Sequence, residues 1–142
     1  MIKDIDIVIY GATGFTGQLC VKYFQSLELD IKWAIAGRNL NKLENVASNF
    51  STNVEILVAD AADEKGLKDI CSRSKVVLST AGPFHRYGSK LVAACIENNT
   101  HYVDITGENF WVKGLIEKHH KEAARKGIRI IPSCGFDSIP SD

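Results

Sequence analysis

The sequence has no surplus of either charge: seventeen Lys and Arg residues balance seventeen Asp and Glu, and the pI is near 6.9. A chain so balanced has no basic face to draw it onto nucleic acid or an anionic membrane, so neither is an expected partner. Long apolar runs are missing too. The longest, Leu91 to Ile96, falls far short of the roughly 20 residues a bilayer span requires. The first strand-like run begins by Ile5, which leaves no room for a signal or transit peptide, and a cytoplasmic chain is expected. Cys20, Cys71, Cys95 and Cys134 form no CxxC pair and have no His beside them at ligand spacing. Reduced thiols are therefore expected, with no disulfide framework and no metal site. Familiar catalytic signatures are absent as well. None of Tyr10, Tyr23, Tyr87 and Tyr102 has a Lys four positions later, and no GxSxG elbow or HExxH is present. No repeat or low-complexity tract marks a linker, and 142 residues, 45% of them hydrophobic, suffice for one domain with a sizeable core.

What is present is a rhythm. Apolar runs at Ile5 to Tyr10, Lys32 to Ala36, Val54 to Ala59, Lys75 to Thr80, His101 to Ile105 and Ile128 to Pro132 read as six strands. Between them lie segments with helical spacing. Leu19, Tyr23 and Leu27 recur every four residues, Asn41 to Phe50 reads as a second helix, and a third is capped near Asp63. Ser89 to Asn98 and about Glu108 to Lys126 follow, the last stopped by Gly127. Strands alternating with helices of this length make parallel βαβ units. The expectation is an α/β, Rossmann-type doubly wound parallel sheet of about six strands in order 3-2-1-4-5-6, as a single three-layer domain over residues 1–142.

Directly after the first run stands GATGFTG, with Gly11, Gly14 and Gly17 spaced as GxxGxxG. A chain that must turn sharply, let its backbone approach a pyrophosphate, and start a helix packed on the sheet has no room for side chains at those points. Thr13, Phe15 and Thr16 then stand where N–H groups of a helix N-terminus face an anion. An ordinary glycine-rich turn is the competing reading, but the strand-before, helix-after context is the one a dinucleotide site needs. An NAD site would place Asp or Glu at the end of the second strand. Here Gly37-Arg38-Asn39 stands there, with no acid until Glu44. Arg38 suits a 2′-phosphate, so NADP(H) is preferred and NAD(H) remains an alternative; a merely solvated arginine is the bland reading.

Other candidates sit at later strand ends. Asp60 could contact the adenine amino group or serve as a capping acid. Thr80, Ala81, Gly82 and Pro83 would let the nicotinamide ribose lie against backbone. His85 and Arg86 stand on the loop beyond, as weak substrate contacts or as a solvated loop. His119 and His120 read as one residue at the edge of the buried face and one in water. Cys134 is either a semi-exposed thiol or a small residue filling a turn, and Asp137 is a polar group for substrate or for capping. Pro140, Ser141 and Asp142 look like a helix N-terminus.

GATGFTG, AIAGRN (Ala34 to Asn39), AGPFHRYG (Ala81 to Gly88), HYVDITGE (His101 to Glu108) and SCGFDSIPSD (Ser133 to Asp142), in that order, resemble the N-terminal domain of saccharopine dehydrogenase-like oxidoreductases. That group includes trans-acting enoyl reductases. The resemblance covers essentially the whole chain. It implies pyrophosphate contacts at Gly11, Thr13, Gly14, Phe15, Thr16 and Gly17, an adenosine-phosphate contact at Arg38, and nicotinamide contacts around Ala81, Gly82 and Pro83. It further implies hydride transfer to a carbonyl, imine or enoyl-type substrate, small or lipid-like. A second catalytic and dimerisation domain would begin where this chain stops, and a homodimer would form through such surfaces. Two other readings stand beside it. One is a free-standing NADP(H)-binding module without turnover; the other is a short-chain dehydrogenase acting alone, which the missing YxxxK disfavours.

Overall fold

Ile5–Tyr10 (β1) is buried at four of its six positions, and burial on both faces places a strand in the middle of a sheet. The computed structural model, which describes residues 2–141, puts it there. Trp33–Gly37 (β2) and Glu55–Val58 (β3) extend the sheet on one side; Ser74–Ser79 (β4), His101–Asp104 (β5) and Ile130–Ile131 (β6) extend it on the other. The order is β3-β2-β1-β4-β5-β6, all parallel, with Ile9 opposite Ile35 on one flank and Leu78 on the other. The expected topology is the observed one.

Alternation along the strands divides the core in two. Ile9 and Ile35 face a layer built from Val21 of Phe15–Leu27 (α1) and from Leu43, Val46 and Ala47 of Leu40–Asn49 (α2). Val8, Tyr10, Ala34 and Ala36 face the opposite layer. That layer is made by Leu67 of Glu64–Arg73 (α3), Leu91 and Cys95 of Ser89–Glu97 (α5), and Trp111 and Leu115 of Asn109–Lys126 (α6). Side chains cap two of the helices. The Lys42 N–H donates to Asn39 Oδ1 at 3.0 Å, and the Gly66 N–H to Asp63 Oδ1 at 3.0 Å.

Several expectations need correction. Leu19, Tyr23 and Leu27 lie on a helix, α1, as their spacing predicts, but all three are exposed, and Gly17 and Val21 are the residues buried. The sixth strand is two residues rather than the expected run from Ile128 to Pro132. The Ile128 N–H still closes the end of α6 on Ala123 O, and Ser133 already turns away with a positive φ of 61°. The segment after Pro83 is not loop but a helical turn, Phe84–Tyr87 (α4), that runs into α5. Pro140 and Ser141 fall in a 3-10 turn, Ile139–Ser141, while Asp142 lies outside the described residues. His119 is half-buried and His120 exposed, as the spacing predicts, and burial lowers the His119 pKa.

Candidate dinucleotide site

In an open parallel sheet the crevice opens where neighbouring strands lead their chains to opposite faces, here between β1 and β4. A groove of about 270 Å³ lies at that point, along the carboxyl ends of the strands. Tyr10 ends β1 and Gly11, Thr13 and Gly14 follow it; Gly37 ends β2 and Arg38 follows; Asp60 and Ala61 follow β3; Thr80, Ala81 and Gly82 follow β4. Tyr87 of α4 completes the wall.

The glycine turn is tight for reasons visible atom by atom. Gly11 has a φ of +84°, and a Cβ there would stand 2.9 Å from Ala81 N. A Cβ on Gly17 would fall 2.1 Å from Gly11 O, so α1 can start this close to the turn only without one. Gly14 is different. A Cβ would meet only Gly11 O, at 3.5 Å, so the fold itself does not forbid a side chain and the space around it is open. Gly14 is the N-cap of α1, with no side-chain cap, and the first intrahelical bond runs from Gln18 N to Gly14 O at 2.9 Å. The N–H groups of Phe15, Thr16 and Gly17 precede that bond, as at any helix N-terminus that receives an anion.

Arg38 extends from the β2 end into solvent and makes no hydrogen bond or ion pair among the described residues. Asp60 lines the groove and accepts the Ala62 N–H at 2.8 Å, a local turn; the acid that caps α3 is Asp63, not Asp60. The far wall is fastened to the glycine turn: the Thr80 N–H donates to Tyr10 O at 2.9 Å and its hydroxyl to Gly11 O at 3.1 Å. Tyr10 is buried, donates its hydroxyl to Ala59 O at 3.0 Å, and has its pKa pushed up to about 12, chiefly by burial. These are residues that fit a nicotinamide dinucleotide: an uncrowded glycine cradle on a helix N-terminus, an unpaired guanidinium 24 positions beyond Gly14, and small residues opposite.

Of the residues singled out from sequence, Gly11, Thr13, Gly14, Arg38, Asp60, Thr80, Ala81 and Gly82 meet in this groove. Phe15, Thr16, Gly17, Asn39 and Pro83 adjoin those residues in sequence without lining it. Asn39 spends its side-chain oxygen on the α2 cap. Cys134 is exposed, its thiol donates to Ile131 O at 3.3 Å, and burial of the sulfur together with Asp104 pushes its pKa up; a turn-filling role suits it better than a reactive one. Asp137 is exposed on the turn before Ile139.

Sequence reading missed two carboxylates that arrange this edge. Asp104, 1% exposed, accepts the Tyr102 hydroxyl at 2.6 Å and the N–H groups of Thr106 (3.0 Å) and Ser133 (2.9 Å), tying the end of β5 to the segment after β6. Glu108 accepts the N–H groups of Phe84 (2.7 Å) and His85 (3.2 Å) and pairs with His85 Nδ1. Partial desolvation pushes the Glu108 pKa up, but the His85 ring and the two N–H groups together hold it below the ordinary value.

The model of the saccharopine dehydrogenase NADP-binding domain matches residues 7–131. A trans-acting enoyl reductase from Mycobacterium leprae is 45% identical over 99% of this chain and 34% of its own length. A lipid droplet localized protein from Caenorhabditis elegans is 38% identical over 96% of this chain and 34% of its own length. The chain therefore spans about a third of the length of these relatives. Among solved structures, apo saccharopine dehydrogenase (L-Glu forming) from Saccharomyces cerevisiae superposes with a TM-score of 0.76 over 94% of this chain and 28% of that one, at 19% identity. A short-chain dehydrogenase/reductase from Vibrio parahaemolyticus gives 0.67 at 20% identity, covering 89% of this chain and 82% of that one. Fold, motif order and family model agree, and the chain belongs to the saccharopine dehydrogenase NADP-binding domain family.

Proposed function

We propose that the groove at the β1–β4 switch point holds NADP(H) for hydride transfer to an enoyl-type substrate. The carrying observation is Arg38, unpaired at the β2 end where an acid would select NAD, on the same groove as the Gly11–Gly14 turn. In this reading the pyrophosphate lies over Gly14 and the N–H groups of Phe15, Thr16 and Gly17. Arg38 takes the 2′-phosphate, with Asn39 holding the helix behind it, and Asp60 meets the adenine. Thr80, Ala81, Gly82 and Pro83 carry the nicotinamide side. The bound dinucleotide would supply the hydride; the chain's residues hold and orient it.

The enoyl-type substrate reading is supported by the name of the M. leprae relative, and its lipid-like character by the lipid-droplet location in the name of the C. elegans protein. No helix among the described residues is long and apolar enough to cross a membrane, and we place the domain on the cytoplasmic side of whatever lipid surface supplies the substrate. The remaining two-thirds of the relatives' length is where substrate-binding and dimer-forming residues would lie.

Thermal unfolding tests the cofactor. NADPH at 100 times its Kd should stabilise the chain by about 2.7 kcal/mol. Arg38→Ala should weaken NADPH roughly 10- to 100-fold, the worth of a charged hydrogen-bonded contact, and leave NADH within about twofold. Equal losses for both dinucleotides would remove the 2′-phosphate role, and no shift with either would remove the site.

A further inference from the structure

We propose that His85 is the proton-transfer residue of this site and that Glu108 is the residue that positions it. The inference rests on the NADP(H) reading of the groove and adds the partner that hydride transfer needs. α4 starts immediately after Ala81, Gly82 and Pro83, and Tyr87 of the same turn lines the groove. His85 is the second residue of that turn, two positions beyond Pro83, and stands beside the groove without lining it.

Its ring is restrained from two sides. Nδ1 rests against Glu108 Oε1, and the ring packs on Phe110 with centroids 5.6 Å apart at 56°. Glu108 is restrained in turn. Its carboxylate accepts the N–H groups of Phe84 and His85, and its own N–H donates to Thr106 Oγ1 at 3.1 Å. The imidazole and the backbone that carries it thus hang on one carboxylate. A carboxylate facing Nδ1 fixes the proton on that nitrogen and leaves Nε2 as the exchanging atom, the division of labour of an oriented catalytic histidine. Nε2 makes no hydrogen bond among the described residues, and the side chain is 43% exposed. Two hydroxyls of the groove wall are committed elsewhere, Tyr10 to Ala59 O and Thr80 to Gly11 O.

The chemistry balances with a dihydronicotinamide as two-electron donor. One atom of the substrate's polar double bond receives hydride, and the π electron pair moves to the other atom. That atom takes a proton from Nε2 of the imidazolium form, forming a new bond to hydrogen as the Nε2–H bond breaks and leaving the ring as the neutral Nδ1–H tautomer. The substrate is reduced by two electrons, the dinucleotide is oxidised, and the imidazole regains its proton from water while Glu108 stays ionised.

The test begins without turnover. In the chain labelled with 15N-histidine, the four imidazoles are followed during titration with NADPH and, separately, with adenosine 2′,5′-bisphosphate, which lacks the nicotinamide. His85 should be the Nδ1–H tautomer, and its Nε2 resonance should move with NADPH and stay still with the fragment. In E108Q the tautomer preference should be lost while the rest of the amide spectrum persists, an effect that a purely structural pair would not transmit to the nicotinamide response. With a trans-2-enoyl thioester as acceptor, H85Q should consume NADPH about 100-fold more slowly, with NADPH affinity held within about twofold. An Nε2–H tautomer, an Nε2 resonance indifferent to saturating NADPH, or an unchanged H85Q rate would overturn the proposal. If neither NADPH nor the fragment binds, the cofactor reading fails first and this inference goes with it.

Discussion

Gly14 and Gly17 belong to one motif yet answer to different constraints. At Gly17 a Cβ would overlap Gly11 O at 2.1 Å, a backbone atom that cannot rotate aside. Gly17→Ala should cost about 3 kcal/mol or more, read as a Tm lower by about 10 °C or more. Gly14 has room, with φ at −74°, so Gly14→Ala should keep stability within about 1 kcal/mol. The same methyl would stand where a pyrophosphate approaches, and NADPH affinity should fall at least about tenfold. Calorimetry and NADPH titration on the two variants separate folding from binding within one motif. The motif was legible because its glycines lie within seven residues and each acts on near neighbours. Asp104 and Glu108 were not legible. Their partners Ser133 and Phe84 lie 29 and 24 positions away, and only the sheet brings them together.

At the scale of elements, the sheet's two edges do different work. The carboxyl edge carries the groove, and the amino edge is fastened by charge. One guanidinium, Arg73 at the end of α3, makes paired contacts to Asp4 (3.1 and 2.7 Å) and to Glu55 of β3 (2.8 and 2.9 Å). Lys75 of β4 meets Asp6 of β1 at 2.6 Å. The hydrogen bonds from Arg73 hold the pKa values of Asp4 and Glu55 below their ordinary 3.8 and 4.5, and Lys75 does the same for Asp6. A carboxylate whose folded pKa is depressed contributes stability that is complete above its unfolded value and lost as pH falls toward the folded one. Urea midpoints should therefore decline from about pH 4.5 downward, and Arg73→Ala should flatten that decline while lowering the midpoint at neutral pH. An unchanged acid slope in the variant would mean that the bridge contributes nothing. Element order and type could be read from the apolar rhythm, because buried parallel strands announce themselves on both faces. The buried face of α1 could not. Gly17 and Val21 do the packing there, with Cys20 and Phe24 partly buried beside them, while the conspicuous Leu19, Tyr23 and Leu27 look outward. A stripe of large side chains signals a core only when nothing smaller is needed to bring helix and sheet together.

For the molecule as a whole, the uncovered apolar ground is uneven. A second cavity of about 320 Å³ lies between α6 and the short β6, lined by residues such as Leu115, Ile116, Ala123 and Ile131, away from the groove that carries the dinucleotide features. Its larger size carries no chemistry: apart from His119, His120 and Arg129 the lining is aliphatic. The two tryptophans also divide the molecule. Trp33 opens β2 at the amino edge, against Phe24 at 5.5 Å. Trp111 is 7% exposed at the carboxyl edge. Its indole N–H donates to Ser89 Oγ at 2.9 Å, its ring lies 5.8 Å from Phe84, and it packs so closely on Gly88 that a Cβ there would be 2.6 Å from Cζ2. It is wedged against the turn that carries His85. The protein thus holds one emitter at the carboxyl edge of the sheet, beside the candidate site, and a second at the amino edge. NADPH should dim the tryptophan band by energy transfer to the reduced nicotinamide, a quench that Trp111→Phe reduces more than Trp33→Phe and that adenosine 2′,5′-bisphosphate never produces. Cofactor arrival could then be timed optically, without a label.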